Sequence, residues 1–133
     1  MKPFFLCLAC STVLLAACDR PDEQDDRIEA AAEASAVAAG PEPAAFGLSE
    51  AQLLDADLVD ANRVELGSIE GVVRDASGEV HRLLVEIEDS NPDRFVEVPV
   101  EGLATLLAGD DTDLSTSMTK EQLAALPEAP ARP

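Results

Sequence analysis

The chain has 133 residues, with 27 acidic side chains against nine basic ones and a formal charge of −18. So polyacidic a surface repels phosphate backbones, which excludes a nucleic-acid partner. It also repels an anionic bilayer surface, so contact with lipid cannot rest on charge. The charge serves solubility, or it attracts a basic partner or divalent cations.

Met1-Lys2-Pro3 is a short basic start, and Phe4 to Leu15 is an apolar run broken only by Ser11 and Thr12. Small Ala16 and Ala17 follow, then Cys18. This order predicts a secretory signal peptide over residues 1–17. The apolar run is too short to span a bilayer, which takes roughly 20 residues. Leu15-Ala16-Ala17-Cys18 resembles the lipobox of bacterial lipoproteins. The resemblance implies cleavage before Cys18 and acylation of its thiol and its new amine. Two or three acyl chains would hold the chain to a membrane, since each buried methylene contributes ~0.8 kcal/mol and one chain alone is marginal. Asp19 resembles the sorting signal that keeps lipoproteins of enteric bacteria in the inner membrane. The implied location is the cell envelope, on the periplasmic face of the inner membrane.

Loss of residues 1–17 removes one lysine and no acid, which leaves a formal charge of −19. Cys7 and Cys10 leave with the signal peptide, so Cys18 is the last thiol. No mature disulfide or thiolate metal site is then possible. The mature aromatics are Phe46 and Phe95 alone, so the core is aliphatic. A domain of roughly 75 residues built on such a core is only modestly stable.

Residues 18–47 read as an acidic, alanine-rich tether, disordered or marginally helical. Alanine and glutamate from Ile28 to Ala34 favour helix, early acids suit its dipole, and Gly40-Pro41 stops it. No apolar stripe stands out, so this helix would be marginal alone.

Residues 48–127 read as the folded domain. Ser49-Glu50-Ala51-Gln52 fits a capping box that starts a short helix. Leu58-Val59-Asp60 predicts a strand, and Ala61-Asn62-Arg63 a tight turn, where Asn62 tolerates a left-handed conformation. Val64 to Arg74 predicts a long strand whose Gly67 and Gly71 mark bulges or bends. Asp75-Ala76-Ser77-Gly78 turns the chain into a strand from Val80 to Glu88. There Leu83, Val85 and Ile87 share one face, and Arg82, Glu86 and Glu88 the other. Leu84 breaks the alternation, which predicts a cover over part of the outer face.

Phe95 to Val100 predicts the next strand, with Val96, Val98 and Val100 inward and Pro99 at an edge or an end. Leu103, Leu106 and Leu107 recur at helical spacing before Gly109, which predicts a helix. Asp113-Leu114-Ser115 predicts a last short strand. Thr119 and Gln122 form a second capping box before Leu123 and Leu126, closed by Pro127. Residues 128–133 read as a frayed tail.

From about Leu54 to Pro127 the chain resembles the PRC-barrel family. The resemblance is carried by Val59-Asp60-Ala61, Leu66-Gly67-Ser68-Ile69, Val72-Val73-Arg74-Asp75, Gly78 and Leu83-Leu84-Val85. Val98-Pro99-Val100, Leu103 and Met118-Thr119-Lys120-Glu121-Gln122-Leu123 with Pro127 complete it. Arg63 stands where the family often has glycine, and Asp89 to Asp93 replaces a loop that is often glycine-rich and apolar. The resemblance implies a mainly β fold, a small PRC-like β-barrel with short flanking helices, that docks onto other macromolecules. It supplies no catalytic residues.

No catalytic constellation is visible. His81 is the only histidine and has no cysteine to join it. No Gly-x-Ser-x-Gly and no phosphate-binding glycine loop occurs. Glu86 and Glu88 share a strand face as a solvated pair rather than as a glycosidase dyad. Asp111, Asp113, Ser115 and Ser117 imitate the start of a calcium loop, but Thr116 replaces its glycine and Gln122 its bidentate glutamate. A diffuse, weak cation site over Asp110, Asp111 and Asp113 is the remaining metal reading. The expectation is thus a lipid-anchored, non-enzymatic interaction module without cofactor, metal ligands or small-molecule substrate. Its partners would be the membrane, through the acyl chains on Cys18, and another envelope protein. The alternative is a polyacidic protein that binds divalent cations.

Overall fold

The computed structural model describes residues 21–130 and is mainly β with short flanking helices. Helix α1 spans Pro21–Ala39. Proline is tolerated in a first helical turn, where its missing N–H would have had no partner. Gly40 ends the helix at φ 66°, its N–H donating to the Ala36 carbonyl at 3.0 Å. This is the left-handed cap that glycine permits. The segment expected as a tether therefore carries a helix that lies against the domain, over β4 (Glu65–Arg74) and α2 (Glu50–Leu54). Its inward residues are Asp25, Ile28, Ala32, Ala36 and Ala39, spaced by threes and fours as one helical face requires.

Strands β1 (Pro43–Ala45) and β2 (Leu48–Ser49) form a small hairpin. Its two-residue turn, Phe46-Gly47, has φ of 55° and 74°. Positive φ at both central residues matches the twist of a hairpin. The Phe46 side chain packs on the edge of the core.

The remaining strands are β3 (Asp57–Val59), β5 (Val80–Ile87), β6 (Phe95–Pro99), β7 (Ala104–Ala108) and β8 (Asp111–Ser115). The sheet order is β6-β5-β4-β3-β8-β7, antiparallel throughout except for the parallel pair β3 and β8. Strands β6 and β7 are the two edges. Helix α3 (Lys120–Ala124) follows β8.

Both expected capping boxes form. Ser49 and Thr119 accept from the N–H groups of Gln52 and Gln122, whose side chains accept from the cap N–H groups at 2.9 Å each. The turns at Asp60 and Asp75 are built alike. The Asp60 carboxylate accepts from the N–H groups of Asn62 and Val64 at 2.8 and 2.9 Å. That of Asp75 accepts from Ser77 and Glu79 at 2.8 and 3.1 Å. In the first turn the left-handed residue is Arg63, at φ 64°, and not Asn62. Asn62 instead gives its N–H to Asp60, and Arg63 is held from outside as its guanidinium donates to the Leu107 carbonyl at 3.2 Å.

Glycine marks the irregular places in β4, as its position in the strand suggests. Gly67 lies so close to β5 that a Cβ there would stand 2.2 Å from the Glu86 carbonyl oxygen. Ile69 pairs with Val85 and Gly71 with Leu84, so Glu70 is an extra, bulged residue. A second bulge places His81 between the pairs Val73–Arg82 and Arg74–Val80. Bulges re-aim the side chains they carry.

The segment Leu103–Leu107 is not a helix: Ala104–Ala108 is β7. Gly109, at φ 66°, and Asp110 turn it back onto β8, where every residue of β7 finds a partner. A five-residue helix would have left most of its carbonyls unpaired, whereas the hairpin ladder satisfies both strands. Leu107 is left 74 % exposed as a result.

The core lies on one face of the sheet. Leu58, Leu66, Ile69, Leu83, Val85, Val96, Val98 and Leu114 meet Leu53 of α2 and Leu123 of α3 there. Leu84 and Phe95 belong to the opposite face, yet they are only 3 % and 4 % exposed. The cover that Leu84 called for exists: α1 lies on one side of this outer patch and Ala129-Pro130 on another. The start of the tail is pinned to the sheet, with Glu128 bridging Val96 and the Ala129 N–H donating to the Phe95 carbonyl at 2.7 Å. Pro99 closes β6 on the sheet edge, where its missing N–H costs no ladder bond.

Candidate functional site

Cys18 and Asp19, the residues expected to carry the lipid and the sorting signal, lie outside the described residues, as does the 1–17 segment. Among the described residues, no helix is long and apolar enough to cross a membrane.

The other sequence candidates are dispersed. His81 sits on its bulge with Nδ1 buried and without a hydrogen-bond partner. Asp111, Asp113 and Ser115 lie along strand β8 instead of curling into a loop. Four extended steps spread them over about 13 Å, so they do not converge on one ion. Among the described residues, no three His, Cys, Asp or Glu side chains are grouped to hold a metal ion.

Glu86 and Glu88 lie in two acidic groups that Glu88 links. Glu88 lies just past β5, beside Glu65, Asp57 and Asp113. Burial pushes the carboxyl of Asp57 up from its ordinary value, with Asp113 and Glu88 adding to the rise. Burial also raises Glu65, helped by the same three acids and a hydrogen bond with Glu88. The neighbours Asp57 and Asp113 result from the parallel pairing of β3 and β8, and the Asp57 N–H donates to the Asp113 carboxylate at 3.3 Å.

Glu86 belongs to the second group, beneath α1. Its row on the outer face runs Ser68–Glu86–Phe95, next to Gly71–Leu84–Glu97. Burial raises its carboxyl to about 7, with Glu70, Asp93, Asp25 and Glu88 contributing in that order. Glu70 is raised by burial, then by Glu29 and Asp25 of α1. Sequence reading passes over this group because its members stand on α1, β4, β5 and a loop. The one local signal is Glu70-Gly71, where glycine marks the bulge that turns the acid toward α1.

A groove of about 420 Å³ separates α1 from this face, floored by Gly71, Val72, Leu84 and Phe95. Gly71 lies beside Leu84, and a Cβ there would stand in ordinary contact, 3.6 Å from the Leu84 Cβ. Glu50, also at the groove, is 1 % exposed and paired with Arg74 at 2.9 Å. The pairing satisfies a buried charge that would be costly alone.

The two sheet edges differ. Strand β6 is partly covered by Glu128 and Ala129, whereas among the described residues no strand pairs with the outer side of β7, where Arg63 takes the Leu107 carbonyl. Leu107 on β7 and Val64 in the turn beside it are 74 % and 55 % exposed, joined through the Arg63–Leu107 hydrogen bond. An open strand edge offers unpaired N–H and C=O groups to an incoming chain.

No protein-family model matches the chain, and no curated protein matches it closely enough to show kinship.

Proposed function

We propose that the chain is a lipid-anchored protein of the bacterial cell envelope, held by acyl chains on Cys18. Its β domain binds another envelope protein and catalyses no reaction. The anchor rests on the Leu15-Ala16-Ala17-Cys18 run behind a basic, apolar start. The observation that carries the binding role is the β7 edge, which no described strand pairs, with Leu107 exposed beside Val64. A strand or loop of a partner adds to that edge through main-chain hydrogen bonds and covers the two side chains. A photo-crosslinking residue at position 107 in living cells would join the protein to one envelope partner, and the same residue at exposed Glu101 would not. If position 107 yields no adduct in any growth phase, the binding role fails.

We further propose that the domain is a PRC-like barrel. Support comes from a six-stranded, bulged sheet whose inner residues form one core together with Leu53 and Leu123. Superposing experimental coordinates on PRC-barrel domains tests this, and a different strand order would end it.

A further inference from the structure

Helix α1 is weakly held. Of its inward face only Ala36 is fully buried, and Ile28 is its one large apolar residue. Alanine side chains bury little area, so each adds little to docking. Voids flank the helix on both sides. One is the groove of about 420 Å³ over Leu84, and the other, about 470 Å³, lies between α1, α2 and Ile69.

Most of the charges across this contact are acidic. Asp25 and Glu29 of α1 act on Glu70 of β4, and Asp25 also acts on Glu86 of β5. Asp93, in the loop before β6, and Glu88 press on Glu86 from the sheet side. Glu33 of α1 and Asp55 after α2 line the second void with Glu70. Arg27 is the basic residue in the wall of the first void, and the Arg74 guanidinium is spent on Glu50. Partial burial strengthens repulsion among ionised carboxylates, and protonation removes it.

We propose that α1 is a pH-sensitive strap: it lies on the outer face of β4 and β5 when the carboxylates between them are protonated and lets go as they ionise. Letting go uncovers Leu84 and Phe95. It also changes the reach of the domain, since only two residues separate Cys18 from the start of α1. With α1 released, the spacer to the domain lengthens by about 30 Å, whether the segment is helical or coiled. The strap itself does not depend on the anchor or on the β7 edge.

The sign follows from linkage. Acids whose carboxyl is raised by docking bind more protons docked than free, so docking is strongest in acid. It weakens as pH rises from the ordinary glutamate value of 4.5 through about 7, where Glu86 ionises. If docking makes one carboxyl hold its proton about tenfold more tightly, ionising that carboxyl weakens docking about tenfold.

Hydrogen exchange on the protein purified from envelopes tests the strap. Rates at pH 5 and pH 8 are each corrected for intrinsic exchange. A released α1 is a marginal helix and exchanges freely. Amides of residues 25–39 should lose about tenfold protection or more between pH 5 and pH 8. At both pH values they should exchange faster than those of Leu83 to Val85. Glu29→Gln, on the helix side and outside the sheet, should shrink that loss, and Glu70→Gln should do the same. The strap is overturned by α1 protection that is equal at both pH values, by α1 exchanging only at the rate of β5, or by an unchanged loss in Glu29→Gln.

Discussion

Single residues carry the proposed address and set the closeness of the sheet. No cysteine follows Cys18 in the sequence, so its substitution tests the proposed anchor without touching another thiol of the proposed mature chain. Cys18→Ser should leave the membrane fraction or accumulate as uncut precursor; wild-type fractionation and gel migration would refute the anchor. Within the sheet, Gly67 and Gly71 look alike in the sequence but differ in space. A methyl at Gly67 would meet the backbone oxygen of Glu86 at 2.2 Å, which neither strand can yield without moving apart. At Gly71 the nearest atom is the Leu84 Cβ at 3.6 Å, an ordinary contact. Neither glycine has a positive φ, so the contrast is one of space alone. Gly67→Ala should cost about 3 kcal/mol in denaturant unfolding, the upper range for overpacking. Gly71→Ala should cost under about 1 kcal/mol, since removing a glycine also restricts the unfolded chain. Equal losses at the two positions would contradict the packing described.

At the scale of elements, what was legible in the sequence is what neighbouring residues decide. The caps at Ser49 and Thr119 are made by side chains three positions away, so the pattern alone places both helices. Ser49→Ala and Thr119→Ala should each lower stability by ~1 kcal/mol, measured by thermal unfolding. A loss at Thr119 alone would mean that α2 is held by the Glu50–Arg74 pair and not by its cap. Strand β7 was illegible because Leu103, Leu106 and Leu107 fit a helical period, and its fate is settled by pairing with β8. The inward face of α1 hides for another reason. Alanine occupies inward positions 32, 36 and 39 and also outward positions 30, 34 and 38, so no stripe shows against it. The hairpin at Phe46-Gly47 was likewise lost among proline and alanine. The acids beneath α1 come from residues 25, 29, 70 and 86, and no spacing along the chain brings those positions together.

For the molecule as a whole, the dominant fact is a surplus of carboxylates, several of them partly buried against one another. Glu86 is raised from 4.5 to about 7, and Glu70, Asp57 and Glu65 are raised as well, all chiefly by burial. Each binds its proton more tightly folded than unfolded. Their contribution is complete below the ordinary carboxylate range and is lost as pH rises, for Glu86 between 4.5 and about 7. Asp75 runs the other way. Its hydrogen bond from Ser77 lowers its carboxyl, so its contribution holds above 3.8 and is lost only as pH falls further. The two trends move maximal stability toward the acid side of the usual range for globular domains, about pH 5 to 8. The melting temperature should therefore be several degrees higher at pH 5 than at pH 8. Glu86→Gln imitates the protonated acid at every pH, so it should raise the melting temperature at pH 8 and leave it unchanged at pH 4. It should also flatten the slope between pH 5 and pH 7, where Glu86 titrates. A wild-type melting temperature that rises toward pH 8, or a Glu86→Gln variant that is less stable there, would mean that this carboxylate is held ionised by a partner and not by burial among like charges.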